Sequence, residues 1–144
     1  MISIDTNVLI YAHRTEFAEH ESAYAALEGA LTGSEPVGFC WPVLHEFLAV
    51  VTNPRAFKEP TPVPQAVDQV QDWLLSPVAT PLREGARHLS TLRELLAQGQ
   101  VNGGAVHDAK IAAICVDAGV RELWTLDRDF SRFPQLRTRN PLLP

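Results

Sequence analysis

Cysteine is scarce in this chain: Cys40 and Cys115 are the only two, and both sit in apolar stretches. Two thiols cannot build the disulfide framework of a small secreted domain. They read instead as buried free thiols in a reducing, intracellular setting. Long hydrophobic runs are missing too, so nothing in the sequence spans a bilayer. The N-terminus lacks a basic leader followed by an apolar stretch, which argues against a signal peptide and for a cytoplasmic protein without a membrane partner. The histidines, His13, His20, His45, His88 and His107, show no zinc-ligand spacing and read as surface or supporting groups. HExxH, GxSxG, CxxC and a glycine-rich phosphate loop are all absent.

Basic charge is also in short supply. Lys and Arg number 12 against 17 Asp and Glu, a net charge of −5. That balance is unusual for a nucleic-acid binder, whose surface is normally basic. Carboxylates that hold a metal add negative charge, however, while creating a seat for phosphate oxygens. The segment from Arg121 onward is locally basic, with Arg121, Arg128, Arg132, Arg137 and Arg139 against Glu122, Asp127 and Asp129.

What is present suits one domain spanning residues 1–144 with a real core: 46% of residues are apolar and 20% charged. Met1-Ile2-Ser3-Ile4 reads as a short strand, followed at once by Asp5 and by a helix over Val8–Ala12 that Thr6 or Asn7 can cap. Helical spacing returns over Glu16–Leu31, from Pro42 to Val51, and over Ala66–Leu75, Glu84–Ala97 and Val106–Ala118, the last closed by Gly119. Val37–Cys40, Pro77–Pro81, Arg121–Leu126 and Leu136–Thr138 read as strands, the second at an edge because it carries prolines. Residues 54–64 form a stiff, proline-rich loop around Phe57 and Lys58, either a plain connector or a contact loop. Strands alternating with helices predict an α/β sandwich around a mostly parallel sheet, with helices on both faces.

Four acids stand in comparable settings. Asp5 and Asp127 each follow a strand, where open parallel sheets place ligand-handling groups. Glu46 and Asp108 share helix faces with apolar residues, Glu46 beside Pro42, Val43, Ala49 and Val50, and Asp108 beside Ala105, Ile111, Ala112 and Cys115. Blander accounts exist for each alone: Asp5 as a cap, Glu46 in an arginine pair or turned to solvent, Asp108 on the helix dipole. A buried carboxylate needs a cation, a metal or a proton. Four acids converging above the C-terminal edge of the sheet would repel one another, and hard oxygen ligands select Mg²⁺ or Mn²⁺. Two such ions ~3.5–4 Å apart suit in-line attack on a phosphodiester. Asp129 is a fifth acid that reads as a ligand, an outer group or a surface charge, and Thr125 is placed to hydrogen-bond a ligating carboxylate. His107 and Lys110 flank Asp108, where they either touch phosphate or lie on a solvated helix face.

Asp5-Thr6-Asn7, the mid-helix Glu46, Asp108-Ala109-Lys110-Ile111-Ala112-Ala113 and Thr125-Leu126-Asp127-Arg128-Asp129-Phe130 together resemble the PIN-domain ribonucleases, and more narrowly the VapC-type toxins of toxin–antitoxin pairs. The resemblance runs from Met1 to Leu142. It implies a PIN-like three-layer sandwich whose sheet has about five strands, Mg²⁺- or Mn²⁺-dependent cleavage of RNA, a homodimer, and inhibition by a cognate VapB-type antitoxin. It also implies that Asp5, Glu46, Asp108 and Asp127 are catalytic and bind metal, with Asp129 as an additional ligand and Asn7 and Thr125 in support. Tyr11, Phe17 and Tyr24, with Phe47 and Leu48, are either an apolar groove for the antitoxin or plain core. Two further classes compete with this one. One is an inactive PIN-like module that binds RNA or protein, for which four retained acids have no use. The other is a phosphatase or receiver-like regulator using Asp5, for which no suitable lysine motif is present.

Overall fold

The computed structural model describes residues 1–144, as five strands and six α-helices. The strands are β1 (Ile2–Ile4), β2 (Val37–Cys40), β3 (Ala79–Leu82), β4 (Glu122–Trp124) and β5 (Thr138–Arg139). They form one sheet in the order β3-β2-β1-β4-β5, with every adjacent pair parallel. The helices that flank it are α1 (Thr6–His13), α2 (His20–Leu31), α3 (Trp41–Val51), α4 (Val63–Leu74), α5 (His88–Gln98) and α6 (Val106–Asp117).

Central parallel strands are covered on both faces, which is why β1 and β2 are buried at every position instead of alternating. Ser3 is tolerated in β1 because its hydroxyl donates to the Gly38 carbonyl at 2.8 Å. Gly38 leaves room in β2 for the Leu82 side chain, which would have to shift to admit a Cβ, since one built there lies 2.6 Å from Cδ1 of Leu82. The core joins Val8, Leu9, Phe39, Phe47, Ile114 and Leu123 across the sheet. Cys40 and Cys115 are free and buried within it, their Sγ atoms 3.8 Å apart.

Several boundaries differ from the sequence expectation, for local reasons. The helix anticipated from Glu84 begins at His88, because Gly85 disfavours helix and residues 83–87 are exposed. The one anticipated from Glu16 begins at His20, and Phe17 instead packs edge-on against Tyr11 at 5.0 Å. α4 starts earlier than its apolar spacing suggests, at Val63, since Pro62 and Pro64 fall where a helix needs no N–H donors. β3 is an edge strand, which accommodates Pro81. α6 ends as its sequence dictates: Gly119 takes φ +74°, and the Val120 amide donates to the Cys115 carbonyl at 3.0 Å. No helix is long and apolar enough to cross a membrane.

Candidate active site

The chain runs from β1 outward to β2 and β3, then returns to the other side of β1 for β4 and β5. The strand order therefore reverses between β1 and β4, and a crevice opens above their C-terminal ends. Asp5 leaves β1 there, and Thr125 and Asp127 leave β4 beside it.

Asp5 is 6% exposed, and of the three cap candidates Asp5, Thr6 and Asn7 it is the one that caps α1. Its Oδ1 accepts from the Thr6 amide at 2.8 Å and its Oδ2 from the Thr125 hydroxyl at 2.6 Å. Burial pushes its pKa up to about 6 despite those two hydrogen bonds, and the nearby charges of Glu46 and Asp108 push the same way. Capping and a role at the crevice are thus compatible in one side chain.

Asp127 caps the 3-10 turn Arg128–Arg132 through a 2.8 Å bond from the Asp129 amide to its Oδ1. Its own amide donates to the Thr125 hydroxyl oxygen at 3.0 Å, so Thr125 links Asp5 to Asp127. Carboxylate oxygens of Asp108, Asp127 and Asp129 come within 4.8 Å of one another. Asp108, half-buried in the first turn of α6, has its pKa raised by burial first and then by Asp127, Asp129 and Glu46, with Arg132 opposing.

Glu46 departs from the sequence expectation. α3 buries the stripe Val43, Leu44, Phe47 and Val51, which leaves Glu46 exposed beside the crevice instead of in the core. It is nonetheless fixed: its Oε2 accepts from the Thr6 hydroxyl at 2.8 Å. Thr6 therefore holds two acids, Asp5 through its amide and Glu46 through its hydroxyl, a role that the sequence reading missed. Its one sequence signal is a hydroxyl residue directly after an acid at a strand-to-helix junction. Asn7 accepts from the Leu126 amide at 3.4 Å and so ties α1 to the segment carrying Asp127.

None of Asp5, Glu46, Asp108, Asp127 and Asp129 pairs with a lysine, arginine or histidine. Asp108, Asp127 and Asp129, this close and without an ion pair, offer a donor set of oxygens alone, the kind that hard divalent cations prefer. Beside them, a cavity of about 420 Å³ lies between α3 and the start of α6, lined by Glu46, Gly104, His107, Asp108 and Lys110 among others. The basic C-terminal segment is only partly at this crevice. Arg128 and Arg132 lie on the turn after Asp127, whereas Arg121 and Arg137 pair with acids at the starts of strands.

The expected aromatic groove is divided. Phe47 is fully buried against Trp73, with ring centres 4.9 Å apart, and belongs to the core. Tyr24 is half exposed and lines a cleft of about 490 Å³ with Leu27, Leu31 and Trp73. Leu48 lines a separate apolar groove with Trp41, Val67 and Leu74.

Residues 2–136 match the family model described as PIN domain. The chain is 40% identical over 142 residues to ribonuclease VapC43 of Mycobacterium tuberculosis, covering 99% of this chain and 96% of the relative. It is 35% identical over 138 residues to ribonuclease VapC37 of the same organism, covering 96% and 95%. Among solved structures it resembles VapC20 of Mycobacterium tuberculosis, described as a toxin cleaving the sarcin–ricin loop, with TM-score 0.66, 20% identity and coverage of 91% and 93%. It also resembles VapBC2 from Rickettsia felis bound to a promoter DNA fragment, with TM-score 0.69, 22% identity and coverage of 96% and 98%.

Proposed function

The chain belongs to the PIN domain family, among relatives named VapC ribonucleases, and from that premise we propose that it is the toxin of a type II toxin–antitoxin system. As such it is a cytoplasmic endoribonuclease, one PIN-like domain over residues 1–144, that hydrolyses RNA phosphodiesters by a two-metal route. The observation that carries this reading is the gathering of Asp108, Asp127 and Asp129 near the sheet's switch point, with Asp5 and Glu46 linked through Thr6, Asp5 tied to the Asp127 segment through Thr125, and no ion pair at any of the five.

Asp108, Asp127 and Asp129 would hold one Mg²⁺ or Mn²⁺, and Asp5 and Glu46 would supply ligands toward the second. A divalent ion bound there supplies positive charge for the phosphoryl oxygens and acidifies water near neutral pH. The chain's own contribution is to fix the acids beforehand. Thr125 orients Asp5 and braces the Asp127 backbone, and Thr6 aligns Glu46 with Asp5. Such supports hold ligands in place without reorganisation when the substrate arrives. Asp5 gives up its proton near pH 6, so it is anionic at neutral pH and more firmly so beside a cation.

The partner we propose is a VapB-type antitoxin whose tail crosses the crevice, presenting an arginine to the unpaired carboxylates and an apolar helix face to the cleft beside Tyr24. The active assembly is a homodimer. The test is incubation of the purified protein with total cellular RNA and mapping of the cut ends. Cleavage that needs Mg²⁺ or Mn²⁺ and leaves 5′-phosphate and 3′-hydroxyl ends is expected. Cleavage that persists in EDTA and leaves 2′,3′-cyclic phosphates would point to a metal-free ribonuclease instead.

A further inference from the structure

We propose that the cavity between α3 and the start of α6 seats the nucleotide next to the cleaved phosphodiester, and that Lys110 is the cation that pairs with the RNA backbone there. The inference rests on the nuclease reading above and adds to it a substrate-positioning residue.

Two of the acids, Glu46 and Asp108, form part of the cavity wall, so the cavity opens directly onto the candidate metal ligands. Asp5, Asp127 and Asp129 do not line it, so it lies to one side of them. A strand whose scissile phosphate sits over the acids must send a neighbouring nucleotide somewhere. At about 420 Å³ the cavity falls in the size range of sites that enclose a small ligand.

An acidic wall alone would repel a polyanion. Lys110 is one of the chain's two lysines, and it is half-buried on this wall. It forms no ion pair, although Glu46 and Asp108 line the same cavity. Its ammonium is therefore free for a ligand, and its partly covered stem limits where the charge can go. His107, exposed on the same wall, offers a flat ring on which an unstacked base can lie. Gly104 leaves the rim open, since a Cβ built there meets nothing within 4 Å. Together these features give a net-acidic protein a local cationic hold on single-stranded RNA.

The test uses the full chain carrying Asp5→Asn, which binds without cutting, and a short fluorescein-labelled oligouridylate in Mg²⁺ across a salt titration. Lys110→Met, which keeps the apolar stem, is expected to weaken binding several-fold and to flatten the slope of log K against log salt by about 0.7, the share of one phosphate contact. Lys110→Arg should keep both. Gly104→Leu should weaken binding with the slope intact. Arg87→Ala removes an equal charge beside Asp117, at the far end of α6, and should change neither. An unchanged affinity and slope in Lys110→Met overturns the proposal, as does an equal loss in Arg87→Ala or no binding by the parent protein. Wild-type cleavage is scored separately. RNA cutting with no effect of Lys110→Met removes this inference alone, and absence of cutting removes the nuclease reading.

Discussion

At the edge where the strands begin, Arg121 grips Glu35 with two hydrogen bonds of 2.6 and 2.7 Å. Beside it the buried Glu122 lies 3.3 Å from Arg137 and accepts from the Trp124 indole at 3.1 Å. At the edge where the strands end, five acids have threonine hydroxyls, backbone amides and one another for neighbours, and none is in an ion pair. The electrostatic consequences run in opposite directions. The Arg121 guanidinium holds the Glu35 carboxyl down at about 2, whereas burial lifts Asp5 to about 6. One residue class thus forms a closed structural clasp at one end of the sheet and stands without an ion pair at the other, the arrangement the proposed metal site needs.

The largest effect expected from breaking this contrast is on catalysis. Asp5→Asn keeps the size of the side chain but removes a negative ligand. Cleavage of RNA should fall by orders of magnitude while circular dichroism reports an unchanged fold. Full activity in a folded Asp5→Asn protein, with contaminating nuclease excluded, would remove Asp5 from the mechanism.

Metal comes next. EDTA should abolish cleavage, and Mg²⁺ or Mn²⁺ should restore it. An ion that binds only the folded state should also raise its stability, by about 2.7 kcal/mol at a hundredfold excess over Kd. A melting temperature indifferent to both ions would contradict a preformed site. Glu35→Gln, made in parallel, should leave the response to metal untouched.

A smaller effect follows from the raised pKa of Asp5. In the metal-free protein the unfolded chain ionises this group near 3.8 and the folded chain only near 6. Across that window the unfolded state binds fewer protons, so this group lowers stability as pH rises, by up to about 3 kcal/mol above pH 6. Asp5→Asn should therefore be more stable than the parent at pH 7 in EDTA, with the gap closing toward pH 4. Urea melts at several pH values measure it, and a gap independent of pH would refute the assignment. Glu35 has the opposite sign: its contribution is present above the usual carboxylate range and is lost as pH falls toward 2. The smallest change is expected from Glu35→Gln at neutral pH, a shift in melting temperature close to experimental scatter, because an exposed pair contributes little.

Much of this architecture is legible in the sequence because its signals are local. The apolar run Val37–Cys40, Pro42 at a helix start and Gly119 after the last helix each specify an element through their own backbone and burial preferences. The positions of Asp5 and Asp127 follow from strand ends in the same way. Glu46 was harder to place. Its helical neighbours three and four positions away are apolar, yet Ala49 is exposed and Val50 only half-buried, so the stripe that reaches the core lies beside Glu46. Helical spacing identifies a stripe but not which part of it the next layer covers. The double role of Thr6 was out of reach because it depends on where α3 docks against α1, a contact 40 residues away in the chain. The pairing of Arg121 with Glu35 spans 86 residues and was equally invisible, so the arginines of the C-terminal segment read as one basic patch when the fold divides them between the two ends.

The most direct test of the open-ligand-set account is an anomalous difference map from crystals of the metal-free protein soaked in Mn²⁺. A peak is expected within about 2.0–2.3 Å of carboxylate oxygens of Asp108 and Asp127, lost in Asp108→Asn. No peak is expected at Glu35 or Glu122. A map with no density at the strand-end acids under conditions that support RNA cleavage would contradict the open ligand set.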